Sequence, residues 1–328
     1  MSRKFKIMSV FLFCFYPFIL ISQEYIKIAS FNIAQFGEGN LHERRKLDDI
    51  SDMLVEAELD LIAIQEVGVS AKADSQVIRL VRNMNEKLND DHIEYFYNIS
   101  PKAGDERYAV IYRSPVVLND DVKIKWLDQF KDKNKPHLGG KTFYRIPLAL
   151  NFTAKNFDFY LVNMHLKWGK DDRKKEIGKL RKKIRKSEPH EKDWIFLGDM
   201  NRYGGYGKNS KKKAFDQLLR GKYENKYRFP LLEAVTEPHN MFIYKTEKDS
   251  HSTTISAEND LYDQIIISKG VFNEFVTTHP EFGKDIGIIA FDMGPDYHEM
   301  NDHNQIKFAI SDHRPVWIRI RIDLPDDD

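Results

Sequence analysis

The segment Ser311-Asp312-His313-Arg314-Pro315-Val316-Trp317 sets an acid and an imidazole side by side where the last apolar strand begins. A carboxylate can hold a divalent metal while a neighbouring histidine transfers protons or stabilises a phosphate. A second polar cluster, Gly198-Asp199-Met200-Asn201, follows the apolar run 194–197. The two segments predict a site built where buried strands meet their loops.

Apolar residues recur with strand or helix spacing along the whole chain. The first unit is a strand over 25–33, a helix over 47–57 and a strand over 59–67, and a second helix is predicted over 74–88. No linker rich in Pro, Gly or Ser divides the halves, so we expect one α/β domain with many strands and outer helices. Later strands are predicted over 107–112, 116–126, 143–152, 157–166, 194–197, 262–267, 271–277 and 316–322.

Residues 1–22 have the composition of a secretory signal peptide. Three basic residues precede the uncharged, nearly all-apolar run 7–21, and the small residue Ser22 follows it. We therefore expect export to the periplasm or the medium, with residues 23–328 as one domain. An uncleaved N-terminal anchor is the alternative. The only cysteine, Cys14, lies in this run, so the processed chain offers no disulfide and no cysteine zinc site.

The bulk composition excludes two classes of protein. With 328 residues and 41% hydrophobic content, the chain is not wholly disordered. Without the signal segment, 48 Lys and Arg (51 less three) face 50 Asp and Glu. Such a chain is not a general polycation, so any binding of nucleic acid must use a local patch.

Three stretches are predicted to elaborate the surface. Residues 167–186 hold 11 Lys and Arg and three acids, which is typical either of a solvated basic helix or of a flank that attracts phosphates. Residues 202–228 and 282–307 lack clear periodicity. We expect both of these to be loops around the mouth of the site.

Polar residues that end or interrupt apolar strands supply the candidate site. Each has a structural alternative, because Asn and acidic residues favour turns and exposed positions. Asp263 differs, since an acid inside a run of isoleucines needs a partner such as His313. Carboxylate and amide oxygens favour a hard cation, Mg²⁺, Mn²⁺ or Ca²⁺, over zinc. The candidates are Asn32, Glu66, His165, Asp199, Asn201, Asp263, Asp312 and His313.

Six short motifs in fixed order resemble the endonuclease/exonuclease/phosphatase superfamily. The resemblance spans nearly all of the chain after the signal segment and implies a four-layered α/β/β/α sandwich, with two mixed β-sheets packed face to face and helices outside. It also implies metal-dependent cleavage of phosphoester bonds. The motifs are Ser30-Phe31-Asn32, Gln65-Glu66-Val67, Asn163-Met164-His165, Gly198-Asp199-Met200-Asn201, Tyr262-Asp263-Gln264 and Ser311-Asp312-His313-Arg314-Pro315.

Two further segments resemble the deoxyribonuclease I-like branch. In that branch an acid-Arg-Tyr run, here Glu106-Arg107-Tyr108, orients a catalytic histidine, which makes Glu106 the partner of His165. The match of 143–147 implies that Arg145 contacts a substrate phosphate, and Arg107 is a second candidate for that role. Without the resemblance, Arg107 is equally well explained as a salt-bridge partner and Arg145 as a strand-edge charge.

The resemblance also implies roles for the remaining candidates. Glu66 is the principal metal ligand, with Asn32 and Asp312 near the same ion or its waters. Asp199 and Asn201 position the scissile phosphate or a second ion. His313, held by Asp263, and His165, held by Glu106, share the roles of general acid and base.

The leading functional hypothesis is a secreted or periplasmic endonuclease that cuts DNA, or RNA in addition, with little sequence preference. We expect it to act as a monomer without an obligate protein partner. One alternative is a sphingomyelinase-like enzyme or another hydrolase of small phosphodiesters. The other is a catalytically silent relative that binds nucleic acid.

Overall fold

The computed structural model describes the greater part of the chain after its N-terminal segment. The predicted signal, most of the basic segment 167–186 and nearly all of 202–228 lie outside the described residues. No helix in the part that is described is both long and apolar enough to cross a bilayer. The described residues are 24–39, 45–88, 90, 92–119, 143–167, 176, 192–201, 226–234, 252–255, 261–275, 280–293, 297 and 303–326.

Six strands form the first sheet: β1 (Tyr25–Phe36), β2 (Leu61–Val67), β3 (Tyr95–Ile99), β4 (Arg107–Arg113), β11 (Ile286–Ile288) and β12 (Val316–Arg321). Their order is β11-β12-β1-β2-β4-β3. The β1 and β2 strands run parallel, and the other neighbours are antiparallel. The sheet is therefore mixed.

The second sheet also has six strands: β5 (Val116–Leu118), β6 (Leu148–Ala154), β7 (Phe157–His165), β8 (Trp194–Asp199), β9 (Tyr227–Arg228) and β10 (Asp263–Ser268). Their order is β5-β6-β7-β8-β10-β9. Only β7 and β8 pair in parallel, so this sheet is mixed as well.

The two sheets bury one apolar layer between them, and helices cover the outer face of the first sheet. Side chains from β1, β2 and β4 meet side chains from β6, β7 and β8 in a continuous core. Helices α1 (Leu47–Glu56) and α2 (Ala71–Lys87) pack on the opposite face of β2 and β4. The predicted face-to-face sandwich is confirmed. Two shorter helices are α3 (Pro230–Ala234) and α4 (His303–Ala309).

Several predicted elements were wrong in type or extent. The predicted strand 271–277 begins instead as a 3₁₀ turn, Gly270–Phe272, because Val271 and Phe275 lie four residues apart and both turn inward. The stretch 282–307 is not only loop, since it contains β11 and the first part of α4. Strand β3 was missed because consecutive exposed aromatics on this edge strand hide the usual alternation.

Strand register brings three candidate residues into one row of the second sheet. His165 at the end of β7 is paired with Asp199 at the end of β8. Asp199 is in turn opposite Asp263 at the start of β10. Paired residues on neighbouring strands point to the same face, so these three side chains share one edge of the interior.

Gly198 allows β7 and β8 to approach closely beside this row. Its φ is +140°, and a Cβ there would lie 1.7 Å from the carbonyl oxygen of Met164. We expect Gly198→Ala to lower the free energy of unfolding by about 3 kcal/mol or more, because the cost of a positive φ in alanine and the cost of the steric overlap with Met164 add together. Urea unfolding measures the loss.

Gly283→Ala is the matched control for this glycine. Gly283 also has a positive φ, +85°, but a Cβ added there would have no atom within 4 Å. Its replacement tests strain without overlap, and we expect a loss of about 1 kcal/mol. Equal losses in both variants would contradict the explanation by close strand approach.

Candidate active site

The Asp199 carboxylate lies at the centre of the site. Its Oδ2 atom is 3.4 Å from His165 Nε2 and 3.7 Å from His313 Nε2. The same oxygen accepts a hydrogen bond from Asn32 Nδ2 at 3.1 Å. Two imidazoles, one at the end of β7 and one in the segment before β12, therefore converge on one buried carboxylate, where they can act on a common substrate group.

Glu66 is held beside this centre by an irregularity in the first sheet. The pairing of β1 with β2 shifts after Asn32, and the intervening residues Ala34 and Gln35 have positive φ values of 52° and 49°. This turn directs the backbone N–H of Gln35 to Glu66 Oε2 at 3.0 Å. Asn32 Nδ2 donates to Glu66 Oε1 at 2.9 Å, while Asn32 Oδ1 accepts from Ala34 N. Bulges commonly direct side chains at sites in this way.

The first imidazole, His165, is held from behind by Glu106. Its Nδ1 atom lies 2.9 and 3.0 Å from the two Glu106 oxygens, and its backbone N–H donates to the hydroxyl of Tyr108. Arg145 Nε lies 2.8 Å from Glu106 Oε2. Burial opposes the charged imidazole, but the carboxylates of Glu106 and Asp199 outweigh burial and raise the pKa of His165.

The second imidazole, His313, has the same arrangement with Asp263. Its Nδ1 atom lies 2.8 Å from Asp263 Oδ2, and the Asp263 side chain is fully buried. Ser311 Oγ accepts from the backbone N–H of His313 and donates to the carbonyl of Asn32. A carboxylate on Nδ1 fixes the tautomer and leaves Nε2 facing Asp199.

The His313 pair makes stability depend on pH. Burial disfavours the imidazolium, but Asp263 and Asp199 together raise the pKa of His313 to about 10. Because the unfolded pKa is about 6.5, the stabilisation is complete below about pH 6.5 and is lost as pH rises through 10. We expect the stability advantage of the wild type over His313→Gln, in chelator, to be largest at low pH. Urea unfolding at pH 6, 8 and 10 measures it, and an advantage that grew with pH would contradict the assignment.

Two candidates, Asp312 and Arg107, lie apart from the cluster. The Asp312 carboxylate forms an ion pair with Lys307 rather than joining Glu66. Arg107 donates to the carbonyls of Gly68 and Ser70, which places its guanidinium at the start of α2 and not beside the imidazoles. Arg107 also forms an ion pair with Asp74, so the structure favours the salt-bridge explanation for Arg107 over a phosphate contact.

Asn201 lies at the rim, next to the central carboxylate. Its backbone N–H donates to Asp199 Oδ1 at 2.7 Å, and its Nδ2 donates to the carbonyl of Leu166 at 2.8 Å. Its φ is +49°, a conformation that asparagine tolerates better than most residues. Asn201 thus fixes the orientation of Asp199 and joins the ends of β7 and β8.

Buried amides behind the cluster join the two sheets. Gln65 Nε2 donates to Asn163 Oδ1 at 2.7 Å, and Asn163 Nδ2 donates to the carbonyl of Ile64 at 3.0 Å. Gln65 precedes Glu66, and Asn163 lies two residues before His165. The sequence motifs include both amides without indicating a role for either. The available signal was position: each amide lies two residues from a buried apolar residue of its strand, which predicts that it faces the interior.

Arg45 is a site residue that sequence reasoning missed entirely. Its buried guanidinium donates to the carbonyls of Ala34, Lys307 and Ile310, so it fastens the irregular end of β1 to the end of α4. Burial lowers its pKa to about 10, although Asp312 and Glu66 act in the opposite direction. In the sequence Arg45 belongs to a basic run that looks like an exposed surface.

The donor set at this centre fits a hard divalent cation. One group of possible ligands is Glu66, His165 and Asp199, and another is Asp199, Asp263 and His313. Asp263 Oδ2 already contacts the His313 imidazole, so Glu66 and Asp199 are the carboxylates that remain as metal ligands. Two carboxylates without a thiolate suit Mg²⁺ or Mn²⁺.

Solved structures with the same fold come from bacteria and animals. An endonuclease/exonuclease/phosphatase family protein from Bacteroides thetaiotaomicron aligns over 92% of this chain and 99% of its own, with TM-score 0.58 and 17% identity. A mannosyl-6-phosphatase from the same organism aligns over 90% and 98%, with TM-score 0.55 and 17% identity. D. rerio TDP2, complexed with a single-strand DNA product, aligns over 90% and 98%, with TM-score 0.53 and 16% identity.

Sequence comparison gives the family directly. Comparison with curated protein sequences gave no significant match. The family model described as Endonuclease/Exonuclease/phosphatase family matches residues 29–313, which include every residue of the cluster. The chain therefore belongs to the endonuclease/exonuclease/phosphatase family, whose members are hydrolases of phosphoester bonds.

Proposed function

We propose that this protein is a divalent-metal-dependent phosphodiesterase that cleaves DNA with little sequence preference. The observation that carries the proposal is the convergence of His165 Nε2 and His313 Nε2 on Asp199 Oδ2, at 3.4 and 3.7 Å. Each imidazole has its own carboxylate on Nδ1. Two such pairs suit a reaction that needs one proton removed and another delivered.

Glu66 and Asp199 are the residues that would hold the metal. When bound, Mg²⁺ or Mn²⁺ supplies positive charge for the phosphate oxygens and makes water easier to deprotonate. Asn32 donates to both carboxylates and so sets their separation. Ca²⁺ is the alternative ion, in a structural or co-activating role.

The chain's own residues account for the proton transfers. Hydrolysis of a diester requires that water lose a proton and that the departing oxygen gain one. One imidazole accepts the first proton at Nε2, and the other donates the second from Nε2. Glu106 and Asp263 stabilise the charged imidazoles and hold their rings in one orientation. Asp199 and Asn201 orient the phosphate between them.

DNA is proposed as the substrate because of the acid that holds His165. Glu106 contacts Nδ1 of this imidazole, as the resemblance to the deoxyribonuclease I-like branch implies, and Arg145 forms an ion pair with Glu106 at 2.8 Å. The structural relatives include a protein bound to a DNA product and a mannosyl-6-phosphatase, so the family alone leaves the substrate open. RNA and small phosphodiesters are the competing substrates.

A substrate panel tests the proposal. Purified protein is incubated with supercoiled plasmid, RNA, sphingomyelin and mannose 6-phosphate, each with Mg²⁺, Mn²⁺, Ca²⁺ or chelator. We expect nicking of the plasmid that requires Mg²⁺ or Mn²⁺. Release of phosphocholine or of inorganic phosphate with an intact plasmid would contradict it. Binding of DNA without turnover under any metal would instead favour a silent relative.

We further propose that the enzyme is exported and acts as a monomer. Support comes from the charge and apolarity of residues 1–22. Expression of the full chain followed by N-terminal sequencing should give a mature protein that begins near Gln23 in the periplasm or the medium. An intact N-terminus in the membrane fraction would contradict export, and gel filtration tests the monomer.

A further inference from the structure

A corner of the surface next to the His165 pair combines an exposed aromatic ring with two cations. The Tyr144 residue is 47% exposed. Arg145 Cζ and Lys167 Nζ lie 5.1 and 5.3 Å from the centroid of its ring. Surfaces that bind single-stranded nucleic acid combine basic side chains with aromatic rings on which bases stack.

This corner is directly joined to the catalytic cluster. Arg145 contacts both Asp105, at 2.9 Å, and Glu106, at 2.8 Å. The Tyr144 hydroxyl makes only a long, weak hydrogen bond to Asp105, at 3.4 Å. Lys167 lies two residues after His165. A substrate whose phosphate lies at the imidazoles would therefore place its neighbouring group near Tyr144.

A buried carboxylate fixes the backbone of the corner. Glu176 is 4% exposed, its Oε1 accepts from Tyr144 N at 2.7 Å, and its Oε2 accepts from Lys167 N at 3.0 Å. Tyr144 precedes β6 and Lys167 follows β7, so one side chain joins two separate segments. Hydrogen bonds from two amides compensate the cost of burying this charge. The backbones of Tyr144 and Lys167 are thus held in fixed relation to each other.

We propose that Tyr144 and Lys167 form a subsite for the nucleotide next to the scissile phosphate. The base stacks on the exposed part of the Tyr144 ring, and Lys167 contacts the phosphate of the same nucleotide. This inference rests on the proposed function, and it predicts that the enzyme recognises a planar base as well as a phosphodiester. The hydroxyl of Tyr144 is not required for stacking.

The test uses a short single-stranded oligonucleotide with one cleavable linkage, the other linkages being phosphorothioates. Two further oligonucleotides carry an abasic tetrahydrofuran unit on the 5′ or the 3′ side of that linkage. We expect Tyr144→Ala to raise KM about tenfold with little change in kcat, because the loss of one base–ring stacking contact weakens binding by about that factor. Tyr144→Phe should behave as wild type. On one of the two abasic oligonucleotides the difference between wild type and Tyr144→Ala should disappear.

The control variant is Tyr97→Ala, which removes a tyrosine of similar exposure, 41%, from the edge strand β3 of the first sheet. Two results would overturn the subsite while the proposed function stood. One is that Tyr144→Ala cleaves the oligonucleotide without an abasic unit with the same KM as the control variant. The other is that Tyr144→Ala raises KM by the same factor on all three oligonucleotides. Failure of the wild type to cleave any oligonucleotide would instead overturn the proposed function, and the subsite with it.

Lys167→Ala gives an independent readout. Loss of one phosphate contact should reduce the slope of log kcat/KM against log salt concentration by about one. Tyr144→Ala should leave that slope unchanged, since stacking involves no counterion release. An unchanged slope for Lys167→Ala would contradict the proposed phosphate contact.

Discussion

Replacing Glu66 with glutamine should lower the affinity for Mg²⁺ by about a hundredfold or more, because loss of residues that only support metal ligands already costs roughly 10- to 100-fold. The variant keeps the shape of the side chain and can still accept from Gln35 N–H, so the irregular turn of β1 should persist. Calorimetric titration with Mg²⁺ measures the affinity without reference to turnover. Activity at saturating Mg²⁺ then tests whether the defect lies in metal binding.

Glu86→Gln is the matched control for this change. Glu86 lies on α2 with an exposed side chain that pairs only weakly with Arg82 at 3.6 Å. The Glu86→Gln variant should bind Mg²⁺ with the same affinity as the wild type. Equal affinity in Glu66→Gln and Glu86→Gln would show that Glu66 is not the principal ligand.

Replacing either imidazole with alanine should lower kcat by about 10²- to 10⁴-fold, the usual contribution of a general acid or base. Both residues have Nε2 directed at Asp199 and a carboxylate on Nδ1, so neither is expected to be dispensable. KM should change little, since phosphate binding depends on other groups. Single-turnover cleavage of a defined DNA duplex measures His165→Ala and His313→Ala.

His92→Ala controls for general effects of removing a histidine. His92 is exposed in the turn before β3. Its loss should leave cleavage unchanged. Full activity in His165→Ala or His313→Ala, with the fold verified by circular dichroism, would remove that residue from the mechanism.

The apolar pattern alone was sufficient for one α/β domain with many strands, and the resemblance implied the sandwich and most of the cluster. Asp263 stood out as an acid in an apolar run, and the structure pairs it with His313 at 2.8 Å. Glu106 and His165, which are 59 residues apart, are likewise brought into contact. Residues that end strands are positioned by register, so their order in the chain carries much of the geometry.

Side chains outside the strand ends could not be placed in this way. Asp312 is adjacent to His313, yet its carboxylate turns to Lys307 on α4. Arg107 begins strand β4, where neighbouring side chains point to opposite faces, so it points away from the face that Tyr108 occupies. Arg45 and Glu176 act through backbone carbonyls and amides of distant segments. No motif or spacing marks such contacts.

The double variant His165→Ala, His313→Ala tests the central claim most directly, through its single-turnover rate on a defined duplex in Mg²⁺. If both imidazoles act as one unit with Asp199 on one phosphate, the double variant should be no more than about tenfold slower than the slower single variant. Cleavage by the wild type should stop in chelator. Losses that multiply, or wild-type cleavage that continues at full rate in chelator, would contradict the account.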